Sequence, residues 1–371
     1  MIEQVQIKNF KCFKNQKFSF RNLTVLCGQN SGGKSSVIQA LLLARQAASF
    51  SNEKGLKLNG LFGVHLGTAF DIFYNGAEEN QIQFNYQFRN MKEVVQLTLK
   101  YDEKNANEQR FMEIIDEPMF PECMSSLRTC GFVYLGAERL GPRDILPTQS
   151  QPHDLQDVGP MGEYTAELLA SHERKPVREE MCHPDGGDDR RLRRQVELWM
   201  RELIPSLSIE PTSLPRTNSM ALFFKIGGIE SEWRRQGNMG FGVSYSLPII
   251  VAGLLAEPGS VMIIDSPEAH LHPAAQARLT QFLARLAAGG VQVILETHSD
   301  HVLNGLRLAA LNENPLQREQ VIIYHMDYEE GISELTITHT GSLSHWPKGF
   351  FDQSERDLAA IVKERRRHGN L

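Results

Sequence analysis

Residues 28–35 read GQNSGGKS, which fits the pattern G-x-x-x-x-G-K-[ST]. In such a run glycines let successive backbone N–H groups turn inward around phosphate oxygens, Lys34 reaches the terminal phosphates and the Ser35 hydroxyl ligates magnesium. Gly28, Asn30, Ser31, Gly32, Gly33, Lys34, Ser35 and Ser36 are therefore the candidate nucleotide contacts, with ATP and Mg2+ as cofactors. A second group closes the apolar run VMIID, where Asp265 stands at a strand end suited to holding the magnesium water shell. A third follows VQVIL: Glu296 and His298 lie at the end of another apolar strand, where a histidine can touch a γ-phosphate.

One group is missing from the expected set. Ser266 follows Asp265 where a second acid is usual, and a serine cannot take a proton from water at neutral pH. Glu268, two residues on, and Glu296 are the carboxylates available as a general base, with Glu268 the first choice. The plainer alternative for Glu268 is a solvated or ion-paired loop carboxylate. In GFGVSYSLP, Gly240 and Gly242 open the backbone and Ser244 marks a helix entrance with Pro248 in its first turn, an anion-facing N-terminus.

These residues need elements to position them. VQIKNF and KFSF alternate in period two and lead into the apolar strand LTVLC, after which Val37, Ile38, Leu41 and Leu42 share one helix face. DIFYNG, QIQFNYQF and VVQLTLKY predict a small antiparallel sheet. Residues 102–215 are irregular, rich in charge and proline, with one helix from Leu192; the strands ALFFKIGG and IESEW predict a hairpin after them. Strand VMIID, helix AAQARLTQFLARLA, strand VQVILET and helix HVLNGLRLAAL then alternate as in a parallel, doubly wound sheet. The division is residues 1–101, the phosphate loop with an antiparallel β-subdomain; 102–215, an inserted, partly helical lobe; and 216–371, the rest of the head.

The 371 residues carry a formal net charge of -6, which argues against coating nucleic acid by bulk electrostatics. Basic runs at ERKPVRE, RRLRR and KERRR leave a local contact with DNA open. Five cysteines with no C-x-x-C pair suggest neither a disulfide framework nor a zinc site, and with no signal core or bilayer-length apolar run the expectation is a cytoplasmic protein off the membrane.

With those residues in hand, the chain resembles the ABC-type ATPases of the RecF, SMC and OLD group. It is similar, more narrowly, to stand-alone bacterial ATPases marked by PEAHLHP, ETHSDHVLNGLR and HWPxGFFDQ, here from Pro267, Glu296 and His345. The opening IKNFKCF and LTVLCGQNSGGKSS match as well, while the middle matches only through YLGAERLGPR and GEYTAELL. The resemblance implies an α/β fold, an ABC-type P-loop ATPase head with a mixed, largely parallel central sheet flanked by helices. It implies a homodimer in which Ser244 of one head contacts the ATP held by Lys34 of the other, an arrangement open to higher oligomers. The D-loop then falls on Ala269 to His272 and the switch histidine on His298; Asp71 is a candidate for the Q-loop, and Arg139 and Arg143 have an open role, either on phosphate or a partner or paired with Glu138. ITHTGSLSHWPKGFF lacks room and acidic spacing for the nuclease domain that follows in OLD-like relatives, so the expected effector, a nuclease or toxin, is separately encoded. The leading reading is a slow ATPase acting as sensor or regulator in anti-phage defence. A RecF-like DNA clamp and an ATP-held scaffold are the alternatives.

Overall fold

The computed structural model describes residues 1–50, 54–60, 62–125, 129–228, 231–311, 316–347 and 349–367. At its centre is a six-stranded sheet in the order Gly331–Leu335, Val321–Asp327, Leu23–Gly28, Gln292–Glu296, Val261–Asp265, Phe132–Leu135. Five of these strands run parallel and Gly331–Leu335 is an antiparallel hairpin partner at one edge. Because the parallel strands point the same way, Gly28, Glu296 and Asp265 all end at one sheet edge, with Asp265 in register with Glu296 and Glu296 with Leu26.

Strand periodicity sorts the apolar residues onto two faces. Val293, Leu295, Met262 and Ile264 face the helices Phe241–Leu255, Pro273–Ala288 and Asp300–Leu311. Ile294, Val261 and Ile263 face the phosphate-loop helix Lys34–Ser49 and the N-terminal sheet. That sheet is antiparallel, in the order Phe13–Ser19, Ile2–Phe10, Gln81–Phe88, Val95–Lys100, so the two early strands and the later pair make one sheet. DIFYNG does not join it as a strand: Ala69–Ile72 is a short helix whose Thr68 N–H and hydroxyl both donate to the Asp71 carboxylate.

The segment expected as an inserted lobe supplies more regular structure than its composition predicts. Phe132–Leu135 is an edge strand of the central sheet, and Glu122–Ser125 and Thr165–Ser171 are helices in addition to Leu192–Leu203. Helix Leu192–Leu203 packs on Phe241–Leu255 and Pro273–Ala288, and its Trp199 meets Phe282 edge to face. Strand Ser219–Ile226 pairs from Met220 to Ile226 with Leu207–Ser213, across position 215, and only briefly with Arg234–Arg235 and with Leu146–Pro147. Ile229 and Glu230 of the expected IESEW strand, like Lys348 of HWPKGFFDQ, lie outside the described residues. On the other face Arg45 of the phosphate-loop helix is buried against Phe62 and Phe132 and pairs with Asp157 at 3.2 Å, which ties that helix to the middle of the chain. No helix among the described residues is long and apolar enough to cross a membrane.

Candidate functional site

The phosphate loop sits between strand Leu23–Gly28 and helix Lys34–Ser49, bordering a cleft of about 230 Å³ lined by Lys11, Cys12, Asn30, Ser31, Gly33, Lys34, Ser35, Ser36 and Glu296. Its glycines answer to packing as well as to phosphate. A Cβ on Gly28 or Gly32 would lie 2.2 or 2.4 Å from the Met326 carbonyl oxygen, and one on Gly33, at φ 99°, 2.7 Å from the Phe13 ring. Met326 and Phe13 come from elements distant in sequence, so the loop is shaped by its neighbours.

Lys34 is buried, and its ammonium donates to the Gly28 and Gln29 carbonyls at 3.2 and 2.6 Å, with Glu296 Oε1 4.0 Å away. Burial lowers the lysine pKa, against the pull of the Glu296 carboxylate. The Ser35 hydroxyl donates to both Glu296 oxygens, at 3.2 and 3.1 Å. Burial, reinforced by the neighbouring Asp265 charge, raises the Glu296 carboxyl from 4.5 to about 7. Asp265 is shifted upward by burial too, and accepts at 2.9 Å from the Ser266 hydroxyl. Ser266 thus serves the acid it follows; its backbone, at φ 49°, turns so that its N–H donates to the Glu296 carbonyl at 2.8 Å.

Glu268 reaches across to the neighbouring strand end. One oxygen accepts from the Thr297 hydroxyl at 2.8 Å and the other from the His298 backbone N–H at 2.8 Å, so this carboxylate fixes the segment that carries the histidine. His298 is solvent-accessible, and partial desolvation by the surrounding residues, with the Lys34 charge near it, lowers its pKa. Ser299 caps the next helix, accepting from the His301 and Val302 N–H groups, and donates to Gln276. His272 closes the expected D-loop as N-cap of helix Pro273–Ala288, its Nδ1 accepting from the Ala274 N–H.

Arg139 has a definite place. Its guanidinium donates to the Asp265 and Ser266 carbonyls, lies over Tyr245, and is buried enough that its pKa falls to about 10. It braces the backbone under the acid and leaves the exposed Glu138 alone, whereas Arg143 is exposed. Asp71 is a local capping residue. Ser244 is the fourth residue of helix Phe241–Leu255, 4% exposed, and accepts from the Gln236 amide at 3.1 Å. Pro248 falls in the second turn, beside Gly162, and the groups that face outward at this entrance are Gly240 and Phe241, the latter 50% exposed. Sequence reasoning did not single out Lys11 and Cys12 at the cleft, although both lie within IKNFKCF; the Gln236 contact had no motif to announce it.

A family model described as an AAA ATPase domain matches residues 1–184, one described as an AAA domain of a Type IV TA system matches 172–304, and DUF3696 matches 316–361. Among curated proteins, the chain is 23% identical over 354 residues to the Old nuclease of Escherichia phage P2, covering 83% of this chain and 58% of that one. It is 26% identical over 87 residues to the DNA replication and repair protein RecF of Acetivibrio thermocellus, 23% of each chain, and 52% identical over 42 residues to an ATP/GTP phosphatase of Helicobacter pylori, 11% of each. The chain thus spans less than two thirds of each of these relatives. Two solved Smc heads share the fold. A SmcHead bound to the C-winged helix domain of ScpA gives a TM-score of 0.50 at 13% identity, covering 91% of this chain and 98% of that one. A head with an extended coiled coil, bound to the C-terminal domain of ScpA derived from Pyrococcus furiosus, gives 0.51 at 12%, covering 97% and 99%. The fold is an SMC-head-like α/β fold, and the family models that match the two parts of the chain are those of AAA ATPase domains.

Proposed function

We propose that this chain binds ATP with magnesium, hydrolyses it slowly in a dimer of heads, and acts as a sensor or regulator in bacterial anti-phage defence through a separately encoded effector. The observation that carries the catalytic part is the convergence of Lys34, Ser35, Asp265, Glu268, Glu296 and His298 on one edge of a parallel sheet. The donors at its deep end, a hydroxyl and two carboxylates, are the hard oxygen ligands that magnesium takes, and Ser35 and Asp265 would hold it. Magnesium supplies charge neutralisation of the phosphates when bound.

The chain's own residues do the rest. Lys34 exchanges its two loop carbonyls for terminal phosphates, a donor that gains a charged acceptor. Glu268 keeps the His298 segment in place and is the carboxylate assigned to the attacking water. With both its oxygens already engaged and Ser266 unable to act as a base, proton removal is poorly served in a single head, which supports slow turnover and keeps an ATP-held scaffold as its limiting form. The defence role rests on the likeness to the Old nuclease and to the toxin–antitoxin domain family. A steady-state ATPase assay of the chain and its Lys34→Ala variant, followed by phage challenge of cells carrying the gene with its neighbours, tests both parts. Turnover that survives the substitution overturns the first, and unchanged plating in every gene combination overturns the second.

One observation favours a DNA-binding clamp as the second reading. Arg174, Arg191, Arg193 and Arg194 line a surface cleft of about 310 Å³ with Glu173 and Glu197. DNA retention that weakens steeply with salt supports that reading, and no retention at low salt removes it.

A further inference from the structure

We propose that Glu296 is a direct ligand of the nucleotide-bound divalent cation, reaching it from the strand beside the phosphate loop. This rests on the nucleotide-binding reading above and assigns Glu296 away from the attacking water. Three observations converge on it.

The first is spacing. Neighbouring oxygens of an octahedron with metal–oxygen bonds of about 2.1 Å stand about 3.0 Å apart. Ser35 Oγ lies 3.1 and 3.2 Å from the two Glu296 oxygens, so the hydroxyl and either carboxylate oxygen are already set as two adjacent corners. A cation held here would take the serine oxygen and one carboxylate oxygen, the hydroxyl keeping its proton and turning it away from Glu296.

The second is charge. Glu296 is 5% exposed, and the cation beside it is Lys34, 4.0 Å away. When the lysine turns to the terminal phosphates, a buried carboxylate is left beside Asp265 with its neutralising charge withdrawn, a costly arrangement unless another cation arrives. A divalent cation entering with the nucleotide meets that requirement at the moment it arises.

The third is direction. The Glu296 side chain points along the sheet edge to Ser35 and Lys34 of the phosphate loop, whereas Glu268 points to Thr297 and His298. The two carboxylates are divided between metal and switch. Asp265, one strand further from the loop, keeps an outer position with its oxygen held by Ser266.

Mn2+ tests this by electron paramagnetic resonance, with a non-hydrolysable ATP analogue bound, in parallel with calorimetry of the same analogue in EDTA. In Glu296→Gln, Mn2+ affinity is expected to fall by more than about 100-fold, beyond the roughly 10- to 100-fold that loss of an outer-shell partner costs, while metal-free analogue affinity stays within about threefold; a smaller loss places Glu296 in the outer shell and overturns the direct-ligand assignment. Unchanged Mn2+ affinity overturns the proposal, and so does an equal loss of metal-free binding, which makes Glu296 a scaffold of the loop. If Glu296→Gln does not fold, Glu296→Asp carries the same comparison: weaker Mn2+ binding with metal-free binding intact supports the assignment, and unaltered Mn2+ binding overturns it. Failure of the unsubstituted chain to bind the analogue at all strikes the nucleotide reading itself, a different result from any of these.

Discussion

The phosphate loop and the entrance of helix Phe241–Leu255 are both glycine-marked anion sites in the sequence, yet the structure treats them differently. At the loop, Lys34 and Ser35 find partners inside the same chain, and the cleft they line is formed by one molecule. At the helix entrance, Ser244 is covered and satisfied by Gln236, while Phe241 is half exposed and packs loosely with Tyr245 and His270. The first region is lined by polar groups with partners in the same chain; the second leaves an aromatic ring half exposed. On the proposed function, nucleotide binding is a property of the single chain, and hydrolysis depends on a second head meeting the helix entrance.

The largest effect that can break this contrast is Lys34→Ala, for which turnover is expected to drop about 10³-fold in a malachite-green phosphate assay, with loss of nucleotide binding by calorimetry. Glu268→Gln is expected to cost about 10²-fold in turnover with nucleotide affinity retained; loss of affinity instead places Glu268 in the binding region. Phe241→Ser should raise the protein concentration needed for half-maximal turnover about 30-fold, in keeping with about 2 kcal/mol for an interface aromatic, and should leave single-chain binding untouched. Turnover independent of protein concentration in the unsubstituted chain removes the contrast altogether.

A smaller effect concerns pH. Because folding raises the Glu296 pKa from 4.5 to about 7, its contribution to stability is fully present below pH 4.5 and is lost as pH rises through 7. Thermal unfolding of the nucleotide-free protein should show this loss across that window, and Glu296→Gln should flatten it. The smallest effect belongs to Ser244→Ala, for which turnover should change by less than about threefold, since the lost bond to Gln236 is one neutral pair. A drop of orders of magnitude means that the helix entrance opens on dimerisation and exposes the hydroxyl.

Much of the fold was legible where several signals agreed over consecutive residues. The alternation around QIQFNYQF, the apolar strands VMIID and VQVIL, and the helices after them stand where periodicity puts them. Phe132–Leu135 was not legible, because four residues between Gly131 and Gly136 are too few to show a period. DIFYNG misled for the opposite reason: its alternation suits a strand, but the Thr68–Asp71 capping box turns the chain into a helix first. For Ser244 the motif marks the helix start but not which side of the helix faces out; in the single chain its hydroxyl faces Gln236.

The sequence by itself determined the phosphate loop, the acid at the end of VMIID and the histidine after VQVIL, because each is written in a few neighbouring residues whose chemistry does not depend on distant partners. Only the tertiary structure decided which partners the carboxylates meet. Ser35 and Glu296 are 261 residues apart in the chain, and what brings them to hydrogen-bonding distance is the order and register of parallel strands, set by packing two apolar faces against different layers. Pattern shows that a strand end carries a carboxylate; which neighbour that carboxylate meets is fixed by which strand lies beside it.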